Sequence, residues 1–350
     1  MSNSLAKKVL VIKMSSLGDV LHALPAVTDA ANHGFEVDWV VEEAFADIPA
    51  AHPGVRRVLP IAWRRWRRRV TRNTPEMRAF VDMLRDESYD LILDAQGLIK
   101  SAVVACLAKG PRSGFSFTTA REPWAAFAYD QGHRISTNQH AIDRQRQLFA
   151  AALNYALPSG FDSGLNAPKV SSNEIYLLHG TTWETKHWPV AMWQALADLI
   201  AADGFVPVVT WGDDLEKQRA LDIASAGHVL VQERLPLHQI AMRLARAAAV
   251  VGVDSGLCHY SAALGTPTLG VYGPTSGALT GCRGAQADVL QASVACSPCL
   301  AKQCRNYTGE PLLWQGDIVQ PPCFATVQPA MVWRRVKSMM EAGGADNRLT

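Results

Sequence analysis

Short apolar runs alternate along the chain with longer segments whose apolar positions recur every three or four residues. The short runs predict buried strands, and the longer segments predict amphipathic helices. Predicted strands occupy residues 9–13, 37–41, 91–95, 175–179, 206–211, 228–231, 250–253 and 268–272. The clearest predicted helices cover residues 17–31, 190–202, 215–225 and 237–248. Strands that alternate with helices of about 10 to 15 residues are typical of parallel sheets with helical crossovers.

This periodicity is lost over residues 154–173, a segment that contains two prolines and two glycines. We therefore predict an α/β fold with two Rossmann-like domains, over residues 1–160 and 170–328, whose parallel sheets face a central cleft. A length of 350 residues is enough for two such domains. In folds of this kind, ligands bind beyond the carboxyl ends of the strands.

Composition excludes several other classes of protein. Apolar residues make up 48% and charged residues 19% of the chain, which argues against a disordered chain or a coiled coil. No apolar run approaches the roughly 18 residues that cross a bilayer. The first run ends at Lys13 and is too short for a signal-peptide core. These features predict a cytoplasmic protein.

One segment carries most of the positive charge. Eight arginines and no acidic residue lie between Arg56 and Arg72, so that a net charge of +2 leaves −6 on the remaining chain. Such a run is typical of a solvated surface or of a site for a specific anion. Trp63 and Trp66 within the run leave two further interpretations open, RNA stacking and a membrane-proximal patch.

The loop after the first predicted strand carries a carboxylate. Ser15 and Ser16 precede Leu17 and Gly18, and Asp19 opens the following helix. Asp19 is compatible with two roles, a cap of that helix and a general base that faces a substrate hydroxyl.

Two loops in the second half combine hydroxyl groups with the start of a helix. Thr181 and Thr182 follow one strand, and Lys186 precedes the next helix; together they suggest a phosphate site, although ordinary capping remains open. Asp254, Ser255 and Gly256 follow another strand, and Gly256 would let the backbone approach a ligand closely. His259 alone is equally compatible with a buried structural histidine.

Common nucleotide and hydrolase motifs are missing. The first strand is not followed by Gly-x-Gly-x-x-Gly, and the chain has no Walker motif, nucleophile elbow or His-Glu-x-x-His pair. A second domain with a phosphate site and a first domain with a carboxylate indicate group transfer from a nucleotide. An RNA-binding or metal-sensing protein without catalysis is the competing class, and Asp19 together with Lys186 argues against it.

Four of the seven cysteines cluster late in the chain, at Cys296, Cys299, Cys304 and Cys323. Four thiols at this spacing suggest a structural zinc or iron site. Reduced thiols in a loop and redox sensing are the alternatives, since disulfides are disfavoured in the cytosol.

The order and spacing of several short motifs resemble the lipopolysaccharide heptosyltransferases of glycosyltransferase family 9. These motifs are SSLGDVLH at 15–22, WVVEE at 39–43, RRWR at 64–67, DAQGL at 94–98, TAREP at 119–123, KHWP at 186–189 and DSG at 254–256. The resemblance implies a GT-B fold, with the acceptor on the N-terminal domain and ADP-heptose on the C-terminal domain. It also implies a C-terminal helix, at residues 329–345, that packs back on the N-terminal domain.

The activity implied by the resemblance is an inverting transfer of L-glycero-D-manno-heptose from ADP-heptose to a Kdo residue of Kdo-lipid A. No cofactor is expected for catalysis, and nucleic acid is not an expected partner. The expected location is the cytoplasmic face of the inner membrane, with peripheral attachment. Comparable cysteine clusters in relatives leave an alternative acceptor open, either heptosylated core or an autotransporter protein.

The resemblance also implies roles for individual residues. Asp19 is the expected general base, and Lys186 with Thr181 and Thr182 would stabilise the leaving ADP oxygen. Glu216 would bind the ribose hydroxyls. Asp254, Ser255, Gly256 and His259 would line the diphosphate and heptose pocket. Lys13, Ser15 and Ser16 would position the reactants, and Arg64, Arg65, Arg67 and Arg121 would bind the anionic groups of the acceptor.

Overall fold

The chain divides into two compact units, Met1–Leu165 and Asn166–Thr350. The computed structural model describes residues 6–68, 74–165, 172–225, 227–305 and 307–346. The division falls within residues 154–173, the segment in which the hydrophobic periodicity is lost; residues 166–171 of that segment lie outside the described residues.

Among the residues that the structure describes, the first unit contains one parallel sheet and six α-helices. Its strands are β1 (Lys7–Ile12), β2 (Phe35–Glu42), β3 (Val55–Ile61), β4 (Leu91–Asp94), β5 (Arg112–Phe115) and β6 (Gln131–His133). Its helices are α1 (Leu17–Asn32), α2 (Asp47–Ala50), α3 (Trp63–Trp66), α4 (Thr74–Arg85), α5 (Ile99–Leu107) and α6 (Ala141–Leu153). The strand order is β3-β2-β1-β4-β5-β6, so the order reverses next to β1.

The second unit repeats this plan. Its sheet strands are β7 (Glu174–Leu178), β8 (Val206–Val209), β9 (Leu230–Val231), β10 (Ala249–Val253), β11 (Thr268–Tyr272) and β12 (Ala287–Gln291). The helices are α7 (Val190–Ala202), α8 (Asp214–Ala224), α9 (Leu237–Leu244), α10 (Gly256–Ala263), α11 (Gly277–Thr280) and α12 (Pro329–Asp346). The strand order is β12-β11-β10-β7-β8-β9, and a small antiparallel pair, β13 (Leu313–Trp314) and β14 (Asp317–Ile318), stands apart.

Burial explains why the sequences of the central strands are continuous apolar runs. Helices cover both faces of a parallel sheet, so that neither face needs polar side chains. Leu10 to Ile12 in β1 and Val250 and Val251 in β10 are fully buried. Two parallel six-stranded sheets confirm the predicted α/β class with two Rossmann-like units.

Most differences from the predicted elements lie at sheet edges and helix ends. Strand β3 falls within the arginine run, and β5, β6 and β12 lack long apolar runs, so none of the four was predicted. Helix α9 ends at Leu244, four residues before the predicted end. The chain before β10 continues as a turn, in which Ala245 and Ala247 donate to the last carbonyls of the helix.

Helix α12 packs on the second unit. Val332, Trp333 and Val336 belong to the core around α7, and Trp333 Nε1 donates to Asp203 at 2.8 Å. These contacts lie within the second unit, and the expected packing of this helix on the first domain stays a prediction. Across the described ranges, no helix is long and apolar enough to cross a membrane.

Candidate functional site

The loop between β1 and α1 brings Lys13, Ser15, Ser16 and Asp19 to the carboxyl end of the first sheet. One carboxylate oxygen of Asp19, Oδ2, accepts hydrogen bonds from the backbone N and the Oγ of Ser16, both at 2.9 Å. Asp19 therefore does stabilise the first turn of α1. The other oxygen, Oδ1, lies 3.8 Å from Lys13 Nζ, and the side chain remains 31% exposed.

The charge on Asp19 is fixed by its neighbours. Burial raises the pKa of this carboxyl group, but the Lys13 ammonium and the hydrogen bonds from Ser16 outweigh burial and hold the pKa at about 2. Arg121 adds a third cationic contact, with Nη1 3.9 Å from Asp19 Oδ2. Asp19 is therefore ionised at neutral pH, which is the form that accepts a proton.

Lys13 is itself a buried cation. Its Nζ donates to the Ala95 carbonyl at 3.0 Å, and only 6% of the side chain is exposed. Burial lowers the pKa of Lys13, and the charges of Asp19 and Asp94 oppose that change. Because a buried ammonium is stable only beside negative charge, Lys13 and Asp19 depend on each other.

Two residues that sequence reasoning missed complete this loop. Lys100 Nζ donates to Ser15 Oγ at 3.0 Å. Gln96 accepts from Met14 N at 2.7 Å and donates to the Ser15 carbonyl at 2.9 Å. Both follow β4, which pairs directly with β1. Neighbouring parallel strands end at the same sheet edge. The position of β4 beside β1 would therefore have indicated that residues after β4 lie close to the loop after β1.

The arginine run does not form one patch. Arg56 lies in β3 and binds the buried Asp38, with Nη2 2.6 Å from Oδ2, and Arg57 Nε lies 3.3 Å from the same atom. These two arginines stabilise the sheet. Arg69 and Arg72 lie outside the described residues.

The arginines around α3 differ in their partners. Arg65 pairs with Glu43 and Glu76, at 3.0 and 2.6 Å. Arg64 lies over the Phe45 ring, 5.3 Å from its centroid, and both Arg64 and Arg67 are exposed. Burial lowers the pKa of Lys100, the charge of Glu42 opposes that change, and the charges of Arg64, Arg67 and Arg121 lower the pKa further. Arg64, Arg67 and Arg121 therefore lie within electrostatic range of Lys100, and Arg121 is the member of this group that contacts Asp19.

The second unit has a compact charged cluster at the ends of β7 and β10, which are neighbouring strands. Lys186 Nζ lies 2.7 Å from Asp254 Oδ2, and His259 Nε2 lies 3.4 Å from Asp254 Oδ1. The Thr181 hydroxyl donates to the Asp254 carbonyl at 3.2 Å. Burial raises the pKa of Asp254, but His259 and the Lys186 charge outweigh burial and leave the pKa well below its usual range.

This cluster lies at the start of α10. Ser255 is the N-cap of that helix and accepts from Cys258 N, and Gly256 is its first residue. The free N–H groups of a helix start favour an anion. Lys186 also lies over the Trp183 ring, 4.5 Å from the centroid. Thr182 is exposed in the same loop, without a described contact to the cluster.

Glu216 lies between two glycines. Its Oε2 accepts from Gly212 N at 2.7 Å, and a Cβ atom on Gly180 would lie 2.5 Å from its Oε1. Asp213 caps α8 and accepts from Glu216 N at 2.9 Å. Burial raises the pKa of Glu216, although the hydrogen bond from Gly212 opposes that shift. The half-buried carboxylate is therefore held in the first turn of α8 against Gly212, which follows β8.

The four clustered cysteines line one pocket in the second unit. Cys296, Cys299, Cys304 and Cys323 contribute to its wall together with Thr185 and Gly273, and all are free thiols. A tetrahedral site needs sulfurs at about 2.3 Å from one centre. Among the residues that the structure describes, no three or more His, Cys, Asp or Glu side chains are arranged to hold a metal ion. The zinc or iron site expected at these four cysteines stays a prediction.

Comparison with known proteins finds matches over most of the chain. The profile of the family described as glycosyltransferase family 9 (heptosyltransferase) matches residues 77–308. Lipopolysaccharide heptosyltransferase 1 of Pseudomonas aeruginosa is 42% identical over 349 residues, which cover 96% of this chain and 98% of that protein. The Escherichia coli heptosyltransferase WaaC with ADP is 42% identical, with a TM-score of 0.77. The same enzyme with ADP-2-deoxy-2-fluoro heptose is 41% identical, with a TM-score of 0.75; each match covers 82% of this chain and 93% of the other.

Proposed function

This chain belongs to glycosyltransferase family 9, the heptosyltransferases, and has their GT-B fold; we infer that it is the transferase of an inner-core heptose. The proposed reaction moves L-glycero-D-manno-heptose from ADP-heptose to a Kdo residue of Kdo-lipid A, with inversion at the anomeric carbon. The enzyme acts on its acceptor at the cytoplasmic face of the inner membrane and needs no cofactor for the chemical step.

The proposal rests mainly on the state and position of the Asp19 carboxylate. Its carboxylate is ionised, partly exposed and fixed through Oδ2 by Ser16, so that Oδ1 is left to face a hydroxyl group. The attacking oxygen becomes strongly acidic as its bond to the anomeric carbon forms, and a carboxylate of low pKa then accepts the proton. Lys13, Ser15 and Ser16 hold the carboxylate and the hydroxyl in position.

The departing group is ADP, which leaves with the electron pair of the broken glycosidic bond. Negative charge develops on its terminal phosphate oxygen, and a fixed cation lowers the energy of that transition state. Lys186 supplies the cation, held by Asp254, while Thr181, Thr182 and the helix start at Ser255 and Gly256 bind the diphosphate. Glu216 accepts hydrogen bonds from the ribose hydroxyls, and His259 keeps Asp254 oriented toward Lys186.

The acceptor carries carboxylates and phosphates, for which guanidinium groups are suited because they form paired hydrogen bonds with both. Arg64, Arg67 and Arg121 are exposed, all three lie within electrostatic range of Lys100, and in this proposal the four cations bind these groups. Arg65 is paired with Glu43 and Glu76; in this proposal it reaches the acceptor only by exchanging one of those carboxylates.

The test is ADP release by the purified chain from ADP-heptose and Kdo-lipid A, with EDTA present. We expect release by the wild type and a loss of about 10² to 10⁴ in kcat for Asp19→Asn, since that is the usual contribution of a general base. Asp82→Asn, on the exposed side of α4, is the matched control. Donor binding, measured by calorimetry, is expected to be unchanged in Asp19→Asn.

A panel of acceptors separates the proposal from its alternative. Release with heptosylated core or with an autotransporter passenger protein, and not with Kdo-lipid A, would overturn the acceptor while leaving the donor chemistry intact. Full activity of Asp19→Asn would overturn the general base. Loss of release in EDTA, restored by a divalent metal, would contradict the proposed independence from cofactors.

A further inference from the structure

Three exposed aromatic rings in the first unit form one apolar surface. Phe117, Trp124 and Phe127 are 47%, 66% and 73% exposed. Their ring centroids lie 5.7 to 5.9 Å apart, in edge-to-face and stacked contacts. We call these three residues the aromatic patch. Contiguous exposed apolar surface of this kind marks an interaction site, unlike single exposed side chains.

The backbone holds these rings outward. Trp124 and Phe127 lie three residues apart in a 3₁₀ turn, Pro123–Ala128, and that period places them on the same side. The small Ala125 occupies the buried side of the turn. Glu122 fixes the turn to the start of α5, since its N donates to the Gly97 carbonyl at 2.9 Å and its Oε2 accepts from Ile99 N at 2.7 Å.

Helix α5, which packs against this turn, adds further exposed apolar surface. Ile99 and Val103 are 50% and 47% exposed. They are four residues apart and therefore share a face of the helix. These two exposed aliphatic side chains therefore lie on the helix that packs against the turn carrying Trp124 and Phe127.

Cations adjoin this surface. Arg121 is 70% exposed, lies three residues before Trp124 and reaches to 3.9 Å from Asp19. Lys100, on α5, lies within the electrostatic range of Arg64, Arg67 and Arg121. Aromatic rings next to a group of cations match the lipid–water interface, where rings lie at headgroup depth and cations meet anionic headgroups.

We propose that the aromatic patch docks on the surface of a bilayer that contains anionic phospholipids. The rings enter the headgroup region, and the neighbouring cations pair with lipid phosphates. One part of this inference rests on the proposed function, namely that the acceptor is held in the same bilayer by its acyl chains. Docking would then bring that acceptor next to Asp19.

The first test is co-sedimentation of the full chain with acceptor-free vesicles of phosphatidylcholine and phosphatidylglycerol, without nucleotide. We expect the wild type to bind, and binding to fall at least about tenfold when Phe117, Trp124 and Phe127 are all changed to serine. The matched control changes Leu221, Leu230 and Met242, three exposed apolar residues of the second unit, to serine. This control is expected to bind like the wild type.

Pure phosphatidylcholine vesicles and raised salt are expected to weaken binding, because both remove the electrostatic attraction. Equal binding by the wild type and the patch variant would overturn the proposal, as would no binding by the wild type. A wild-type dimer that the patch variant converts to a monomer, measured by sedimentation velocity, would instead assign the patch to a second copy of the chain.

Transfer rates distinguish this inference from the proposed function. With an acyl-free soluble acceptor, the patch variant is expected to keep the wild-type rate within about twofold. With the acceptor embedded in vesicles, its rate is expected to fall at least about tenfold, in line with lost binding. Equal losses on both acceptors would place the patch in the acceptor site and overturn bilayer docking. If the wild type transfers to neither acceptor, the proposed function fails, while sedimentation still decides the docking.

Discussion

At the scale of single residues, the two roles open to Asp19 turn out to be compatible. Oδ2 accepts from Ser16 and stabilises the first turn of α1, while Oδ1 faces Lys13. The cap fixes the rotation of the carboxylate, which a general base needs, since proton transfer depends on direction. In the proposed mechanism, the helix cap and the proton acceptor are therefore different atoms of the same side chain.

Changing Lys13 to methionine is expected to move the acid limb of activity to higher pH. Burial raises the pKa of Asp19, and Lys13 is the largest influence that lowers it to about 2. Without the ammonium, burial dominates and the carboxyl group takes up a proton at a higher pH. We expect the kcat/KM of the variant to fall on acidification where that of the wild type is still flat.

The measurement is a pH profile of ADP release, with circular dichroism at each pH to exclude unfolding. Lys7→Met, on the exposed first residue of β1, is the matched control and should reproduce the wild-type profile. An unchanged acid limb in Lys13→Met would show that Lys13 does not set the protonation of Asp19.

At the scale of elements, the loops after the strands determine where the site residues lie. In the second unit, β10, β7 and β8 are adjacent, and the segments that carry Asp254, Lys186 and Glu216 follow these three strands. Two of these loops contain Gly180 and Gly212, which leave space for the Glu216 carboxylate. Glycine is needed at these two positions because it has no side chain, and not because of an unusual backbone angle.

Gly180→Ala is expected to weaken nucleotide binding while the fold is kept. The new Cβ atom would lie 2.5 Å from Glu216 Oε1, so the flexible carboxylate must move away from its present position. We expect the Kd for ADP, measured by calorimetry, to rise about tenfold, the cost of about one charged hydrogen bond. Gly204→Ala, next to open space, would affect only stability because of its positive φ. An unchanged Kd in Gly180→Ala would argue against a nucleotide role for Glu216.

A buried ion pair joins α1 to α6. Arg146 Nε lies 2.6 Å from Asp29 Oδ2, both side chains are 5% exposed, and Arg146 also donates to the Pro158 and Gly160 carbonyls. Arg146→Met would leave a buried carboxylate unpaired, and we expect a loss of about 3 to 5 kcal/mol in the free energy of unfolding.

Urea denaturation measures this loss, and Lys337→Met supplies the contrast. Lys337 forms an exposed pair with Asp203, with 45% and 39% of the two side chains exposed. Exposed pairs contribute about 0 to 1 kcal/mol. Similar losses in the two variants would contradict the importance given to burial.

How far the sequence predicts these elements depends on burial. Strands at sheet centres are covered on both sides and appear as apolar runs, so β1, β4, β7 and β10 were predictable. Edge strands are not covered in this way: β3 contains Arg56 and Arg57, whose charges are compensated by Asp38 and Glu87 from elsewhere in the chain. The hydrophobic periodicity of a segment does not show which distant residues it will contact. The contact of Lys100 with Ser15 was not predicted for the same reason.

At the scale of the whole molecule, each unit contains a buried histidine that resists protonation. Burial lowers the pKa of His52 to about 4 and that of His179 to about 4. His52 Nδ1 accepts a hydrogen bond from Gly54 N at 3.0 Å, and its Nε2 lies 2.9 Å from the Thr28 hydroxyl oxygen. A ring nitrogen that accepts a hydrogen bond carries no proton, so the ring is neutral. Neither unit therefore folds around a charged ring at these positions.

Both units are expected to lose stability together as the pH falls from about 6.5 to about 4. In the unfolded chain these histidines take up protons near pH 6.5, and in the folded chain they do so only near pH 4. Unfolding therefore takes up protons in this window, so stability is complete above it and decreases through it, by up to about 3 kcal/mol for each histidine.

Calorimetric unfolding at pH 7.5 and 4.5 tests this expectation. His52→Gln and His179→Gln are each expected to reduce the difference in stability between the two pH values, whatever their effect at pH 7.5. His228→Gln, an exposed histidine, is the control. A pH dependence that survives both changes would assign the loss to other groups.

The pairing of Asp254 with Lys186 has a consequence for turnover. The terminal phosphate of ADP has a second pKa near 6, so ADP carries one more negative charge near neutral pH than the ADP-sugar from which it is released. Asp254 already takes up part of the positive charge of Lys186, 2.7 Å away, and it repels that additional charge. In the proposed mechanism Lys186 still attracts the leaving oxygen, and Asp254 limits how tightly the released ADP is held; we therefore expect a lower off-rate for ADP in Asp254→Asn.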